Sequence, residues 1–367
     1  MTDPQSPAAR LKPLNRLAPS RFTAAAECPL REVLRTNGAP RLLPTSAVAH
    51  VGTIIHKLLE ETAHDPSMTT SAAEERFDAL LRDEEQRMAG TPDAIYLPLA
   101  QHVRDFGLRK RRGIAAAANR ASAVRLVPSE AAGGKRSTGP EVWVTSPHGE
   151  VGGYIDDVVR EAETIVLRDY KSGVAAQPGT TAHDEAMQQL RLYAALYEAT
   201  HAVWPVAVEI VPIDGAPQRE EVDRDACAAL LERACALYRR TNTVLASYAA
   251  RVAEQQLGRP APDVCRWCEF RPVCNAYLTA RSSEGDWPAD AVGSVAAVHR
   301  LGNGKVSIQI IEGQAVAHVR GITPDSVRHP AFPALQLGVV AGLFNLKGRA
   351  RNYEESLQTV IALYGSA

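Results

Sequence analysis

At 367 residues the chain exceeds one ordinary hydrophobic core, so two domains are the expectation. With 45% hydrophobic and 23% charged residues it is globular, and 41 basic against 42 acidic residues exclude any argument for nucleic-acid binding from net charge; such binding has to come from local patches. No apolar run is long enough to cross a bilayer and no leader layout opens the chain, which implies a cytoplasmic protein without membrane partners. Six cysteines in that compartment point to metal or buried thiols before disulfides.

Residues 1–20 hold Pro4, Pro7, Pro13 and Pro19 without an apolar period and read as a flexible arm. A helix is expected from Ser20 to Arg35, with Cys28-Pro29 inside it as a kink or break. The next helix begins near Thr45 or Ser46. Its apolar stripe is Ile54, Ile55, Leu58 and Leu59, with His56 and Glu60 one turn apart on another face. Ser71 to Arg125 reads as helical, and residues 104–125 set seven Arg and Lys residues against Asp105 alone. That excess suits either phosphate tracking or a solvated helix face. Val124–Val127 is expected to open a sheet, followed by Glu130, the Gly-rich turn 133–137 and a strand over Glu141–Thr145.

The stretch Val151–Gly173 reads as two strands joined by the charged turn 160–163. In the second strand Ile165, Leu167, Asp169 and Lys171 share a face, because side chains alternate with period two. In the first, Asp156 follows the apolar Ile155, and Gly152-Gly153 permits close backbone approach. A hairpin converging Asp156, Asp169 and Lys171 suits metal-dependent phosphodiester chemistry. Hard divalent ions such as Mg²⁺ take carboxylate and carbonyl oxygens and keep waters, and an amine beside them can hold the attacking water or offset charge on phosphate. The bland reading is that Asp169-Tyr170-Lys171 ends a strand in a solvated turn.

A helix from about Asp184 to Thr200 places Gln189 and Tyr193 at i and i+4 on one face, and a strand over Val206–Val211 completes a β-β-α-β order. A long helix over Asp223–Gln256 carries Cys227 and Cys235, which read as buried inert thiols. Cys265, Cys268 and Cys274 form C-x₂-C-x₅-C in a short loop, a set that wraps one soft metal centre, iron–sulfur or zinc, once a fourth ligand is found. The x₅ interval is unlike the paired knuckles of most structural zinc sites and favours iron–sulfur. Beyond Trp287-Pro288, strands over 294–299, 306–311, 315–319, 338–344 and 359–364, with a helical insert at 325–335, suggest a small β-barrel of the OB type. Lys347, Arg349 and Arg351 give it a basic tip.

Gly153-Tyr154-Ile155-Asp156, then Asp169-Tyr170-Lys171-Ser172-Gly173, then Gln189-Leu190-Arg191-Leu192-Tyr193 resemble the G-x-I-D, D-Y-K-[ST]-G and Q-x-x-x-Y motifs of the RecB-like branch of the PD-(D/E)xK nucleases, which also holds AddB-type and Cas4-type enzymes. The resemblance runs from Cys28 to Cys274. It implies an α/β fold with a restriction-endonuclease-like core, a central mixed sheet flanked by helices, over 21–282. A helical insertion falls at about 60–122, and the small C-terminal barrel occupies 288–367. It implies His56, in Gly52-Thr53-Ile54-Ile55-His56, as a ligand of Mg²⁺ or Mn²⁺ with Asp156, Asp169 and the carbonyl of Tyr170. Glu130, Gln189 and Tyr193 would assist the site, although His56 also reads as a surface residue, Glu130 as a turn residue and Tyr193 as core. Cys28 becomes the fourth thiol, with Cys265, Cys268 and Cys274, of a structural [4Fe–4S] cluster. The activity implied is a DNA exonuclease acting on ends or single strands in repair, recombination or defence, with a helicase or repair protein as a possible class of partner. The competing readings are a non-catalytic DNA-binding subunit and a zinc-stapled structural protein.

Overall fold

A computed structural model describes residues 11–65, 67–124, 137–171, 177–213, 215–282 and 285–365. Two short helices, α1 (Phe22–Glu27) and α2 (Pro29–Thr36), lead into α3 (Ala47–His64), α4 (Thr70–Met88), α5 (Leu99–His102) and α6 (Phe106–Val124). Three strands follow, β1 (Gly139–Thr145), β2 (Gly152–Glu161) and β3 (Thr164–Lys171). Helix α7 (Thr181–His201) then crosses to β4 (Ala207–Pro212), and β5 (Gln218–Glu221) precedes α8 (Arg224–Ser247), α9 (Ala250–Leu257), α10 (Pro262–Arg266) and α11 (Asn275–Ala280). The chain ends in β6 (Ala291–Arg300), β7 (Val306–Glu312), β8 (Ala315–Ile322), β9 (Val340–Phe344), β10 (Lys347–Arg349), β11 (Asn352–Glu354) and β12 (Val360–Tyr364).

The first sheet runs β1-β2-β3-β4-β5. β3 and β4 are parallel and the other pairs antiparallel. A parallel pair needs a crossover, and α7 supplies it. The Thr180 hydroxyl starts that helix by accepting the His183 N–H. Ile155, Val158, Ile165, Leu167, Val208 and Ile210 pack on Leu190, Tyr193 and Tyr197 of α7 and on Leu230 and Leu237 of α8. The opposite side of the sheet meets a second core of α3, α4 and α6 built on Ile54, Leu58, Phe77 and Ile114, against which Tyr170 and Ile213 pack. The result is a mixed α/β fold with helices on both faces, consistent with a restriction-endonuclease-like core.

The segment 11–20, expected as part of a flexible arm, is instead built into the core. Leu14 and Leu17 are buried, Leu17 forms a parallel bridge with Val151, and Asn242 bonds both the N–H and the carbonyl of Leu14. The helix expected over 20–35 is two helices, because a residue before proline is pushed out of the helical region; Cys28 is extended, with φ −146° and ψ 95°. The long helix expected over 223–256 breaks at Tyr248 and Ala249 into α8 and α9, both residues being extended. Val124 closes α6 rather than opening a sheet, and 125–127 lie outside the described residues.

The C-terminal sheet has seven strands where five were expected, in the order β10-β11-β8-β7-β6-β9-β12, with β8 and β11 parallel. The expected helical insert is a single 3₁₀ turn at Phe332–Ala334. A flat row from β11 to β12 would be about 24 Å wide, whereas the link 355–359 spans at most about 21 Å, so the row curls. Its core is Val295, Ile308, Ile310, Val319, Leu343 and Ile361.

Candidate functional site

The ladder between β2 and β3 ends with the pair Asp157 and Arg168. Beyond it the strands part, and the Tyr170 N–H, left without a ladder partner on that side, donates to Asp156 Oδ2 at 3.0 Å. Asp169 points to the α7 face and is only 2% exposed. Its Oδ1 accepts from Gln189 Nε2 at 3.2 Å, and its Oδ2 lies 2.7 Å from Lys171 Nζ. The ammonium is what compensates this otherwise unpartnered buried oxygen. Burial, and then the charge of Asp156, push the Asp169 pKa up to about 7 against the pull of Lys171.

Tyr193 follows Gln189 by one turn of α7, and a Cβ on Gly153 would lie 3.0 Å from its hydroxyl, so glycine is what lets the phenol approach β2. Burial, Asp156 and Asp169 all raise its pKa. His56 reaches the same place from α3. Burial lowers its pKa, Asp156 opposes, and Lys171 and Arg120 reinforce the fall, which leaves a neutral imidazole able to ligate. The structure thus brings together His56, Asp156, Asp169, Lys171, Gln189 and Tyr193, with the Tyr170 backbone between the acids. Glu130 lies outside the described residues.

Two members of this site had no place in the sequence reading of it. Arg120 was counted only in the basic run, yet its side chain is buried between layers. Nη1 donates to Leu59 O and Nη2 to Asp156 O, each at 3.2 Å, and the guanidinium lies 4.4 Å over the Tyr170 ring. Asp157, visible as the second acid of Ile155-Asp156-Asp157, accepts from the Tyr170 hydroxyl at 3.2 Å. The rest of the basic run is partly neutralised, since Lys110 pairs with Asp78 at 2.8 Å and Glu74 at 3.3 Å.

Among the described residues no three His, Cys, Asp or Glu side chains are drawn in around a common point. The donors themselves fit a hard cation. Two carboxylates and a neutral imidazole converge, and the buried Asp169 carboxylate is only partly compensated by Lys171, its pKa staying raised, so a divalent cation there would offset the remaining cost of burying its charge.

The cysteines form a second locus. Cys28 sits at the break between α1 and α2, Cys265 in α10, Cys268 just after it, and Cys274 at the N-cap of α11, where its sulfur accepts the Tyr277 N–H at 3.4 Å. All four line one cavity walled by Leu30, Leu34, Val264 and Ala276. Burial pushes Cys268 up to about 12 and Cys274 up to about 11, and raises Cys265. As free thiols they are therefore neutral and need a metal to become thiolates, the form that ligates. Arg31, bonded to Glu269 at 2.9 Å, lines the same cavity. The donor set suits a soft metal centre. Cys227 and Cys235 are buried on α8 away from this cavity.

Arg271, inside the cysteine loop and 2% exposed, fastens it to the C-terminal sheet. Its Nη1 donates to Cys265 O at 3.1 Å and Arg266 O at 2.7 Å, and its Nε to Asp290 Oδ2 at 2.9 Å. Asp290 in turn accepts the Tyr277 hydroxyl at 2.6 Å and the Asn345 N–H at 2.8 Å.

No curated protein matches the chain. Among solved structures, one described as "Crystal structure of SSO0001" covers 74% of this chain and 91% of its own, at 12% identity and a TM-score of 0.27. No helix among the described residues is long and apolar enough to cross a membrane. A family model described as the PD-(D/E)XK nuclease superfamily matches residues 16–275, a span that takes in the acid site and all four cavity cysteines. That match covers well over half of the sequence, and the chain belongs to the PD-(D/E)XK nuclease superfamily.

Proposed function

We propose that the protein is a metal-dependent deoxyribonuclease of the RecB-like branch, the branch with AddB-type and Cas4-type enzymes, working as an exonuclease on DNA ends or single strands in repair, recombination or defence. The observation that carries this reading is the pairing of Asp169 with Lys171 at 2.7 Å where β2 and β3 part, with Asp156 across the gap. His56, Asp156, Asp169 and the Tyr170 carbonyl would hold Mg²⁺ or Mn²⁺, which when bound offsets charge on the phosphate and acidifies water.

The protein's own groups set the geometry. Gln189 fixes one oxygen of Asp169, and the Tyr170 N–H fixes one oxygen of Asp156. Lys171 Nζ is placed to orient the attacking water and to meet the negative charge gathering on the phosphate oxygens. The water oxygen bonds to phosphorus, giving up one proton to solvent, as the bond to the leaving oxygen breaks, and that oxygen takes a proton from solvent. Tyr193 and Glu130 are proposed to assist at the edge of the site.

Cys28, Cys265, Cys268 and Cys274 are assigned to a structural [4Fe–4S] cluster without redox turnover, on the strength of four thiols lining one cavity. The C-terminal sheet is read as OB-like. β6, β7 and β8 form a meander, β11 runs parallel to β8, and β12 runs antiparallel to β9, so the two short strands share the place of a closing fifth strand. A helicase or another repair protein is the partner class proposed.

The test is incubation of the protein and of Lys171→Ala with labelled single- and double-stranded DNA, linear and circular, in Mg²⁺, Mn²⁺ or chelator. Cutting by the parent in divalent metal alone, at least about 100-fold faster than the variant, supports the reading. A folded Lys171→Ala that cuts as fast overturns the lysine's role. A parent that binds DNA and leaves it intact in every metal is the non-catalytic subunit instead.

A further inference from the structure

We infer that the ring of Tyr154, backed by Trp143, is a stacking platform for an unpaired base beside the acid site, which makes single-stranded DNA the substrate the site selects. This deepens the nuclease reading and rests on it for the position of the scissile phosphate. Tyr154 is 58% exposed, although it lies in the middle of the β1–β2 ladder directly opposite Trp143. The two rings meet edge to face, with centroids 4.7 Å apart and planes at 64°. The Trp143 ring is also covered by the Arg16 guanidinium, 4.4 Å from its centroid. Trp143 is thus held between two neighbours, whereas Tyr154 turns a face to water, and among the described residues its hydroxyl has no hydrogen-bond partner.

The strand's alternation says which side this is. Ile155 enters the core with α7, and Gly153 faces the Tyr193 hydroxyl. Tyr154 therefore takes the other side of β2, and Asp156 follows it two residues, about 7 Å, along the strand. A large apolar ring left in water forfeits the burial that an aromatic side chain ordinarily gains. Cross-strand pairing explains Trp143, which is packed, but not the open face of Tyr154. The ring lies two residues along β2 from the acid that would hold the metal, where a nucleotide flanking the cut would place its base. Every base has a π-face, so such a platform takes any sequence, provided the base is unstacked. A duplex keeps its bases stacked inside and offers the ring nothing.

The test is binding of a labelled oligonucleotide in chelator, single-stranded against duplex, by the parent, Tyr154→Ala, Tyr154→Phe and Tyr154→Leu. The expected result is a parent that prefers the single strand, a roughly 10- to 100-fold loss of single-strand affinity in Tyr154→Ala, little recovery in Tyr154→Leu, and recovery in Tyr154→Phe, which keeps the ring without the hydroxyl. Tryptophan fluorescence should be quenched by the single strand in the parent and much less so in Trp143→Phe. The inference is overturned if Tyr154→Ala binds single strands as well as the parent does, or if its loss is equal for duplex and accompanied by a fallen melting temperature. Because binding is read without divalent metal, a parent that binds through Tyr154 in chelator but never cuts once Mg²⁺ or Mn²⁺ is supplied sinks the nuclease reading alone. A Tyr154→Ala enzyme that cuts single strands with unchanged KM sinks the platform alone.

Discussion

Asp169 is held from both ends, by the Gln189 amide at 3.2 Å on Oδ1 and by the Lys171 ammonium at 2.7 Å from Oδ2. Even so, burial first and Asp156 second lift its pKa to about 7. A carboxyl whose folded pKa stands above its unfolded value near 3.9 takes up protons on folding. Stability of the metal-free protein should therefore fall as pH rises from about 4 to about 7 and level off above that. Melting curves in chelator would show this slope in the parent and a much smaller one in Asp169→Asn. At pH 8 the variant should melt higher, by about 2–4 °C for each kcal/mol relieved, while failing to cut DNA. A variant that melts no higher than the parent at pH 8 contradicts the assignment.

Arg120 joins α6 to three elements that each bring a site group: α3 through Leu59 O, β2 through Asp156 O and β3 through the Tyr170 ring. Arg120→Ala should slow cutting by on the order of 100-fold by letting Asp156 shift relative to His56. Arg120→Lys should recover little, because an ammonium cannot bridge two carbonyls as a planar fork does. The midpoint of Mn²⁺ activation, read beside kcat on an oligonucleotide, should move to higher metal in both variants; an unmoved midpoint refutes a positioning role.

Replacing any one of Cys28, Cys265, Cys268 or Cys274 by Ala should strip iron and acid-labile sulfide from anaerobically purified protein and lower its melting temperature. Cys227→Ala and Cys235→Ala should keep the parent's metal content, since those thiols lie on α8 away from the cavity. Zinc without sulfide in the parent would refute the cluster and leave the nuclease reading standing.

Arg271→Met leaves the Asp290 carboxylate buried with its main cation gone. Breaking a buried pair from one side costs about 3–5 kcal/mol, read as a lowered denaturant midpoint. Limited proteolysis should release a fragment covering β6 to β12 faster than from the parent. An unchanged midpoint and an unchanged cleavage pattern would show that the ion pair does not hold the cysteine loop to the C-terminal sheet.

Much of the acid site could be read before folding, because alternation in β3 puts Asp169 and Lys171 on one face and α-helical spacing puts Gln189 and Tyr193 on another. Cys28-Pro29 announced its own helix break. Arg120 could not be found this way, since its partners are two carbonyls and a ring from other layers, and nothing in an Arg-rich helix singles out the one that is buried. The prolines of the N-terminal stretch concealed the anchoring of Leu14 and Leu17. β10 and β11, three residues each, and the polar edge strand β5 carry no apolar alternation to betray them.

Cys28 and Cys274 lie near the two ends of the family-matched stretch, yet they wall the same cavity. A ribosome supplies the first of these sulfurs long before the last, so a nascent chain has no chamber in which a metal centre could be assembled. Assembly of the proposed cluster would have to wait until translation has passed Cys274 and α2 has met α10 and α11. A chain released earlier would carry these thiols without the proposed cluster to protect them from oxidation, so on that proposal the order of synthesis, and not only the final fold, would govern how much working protein forms.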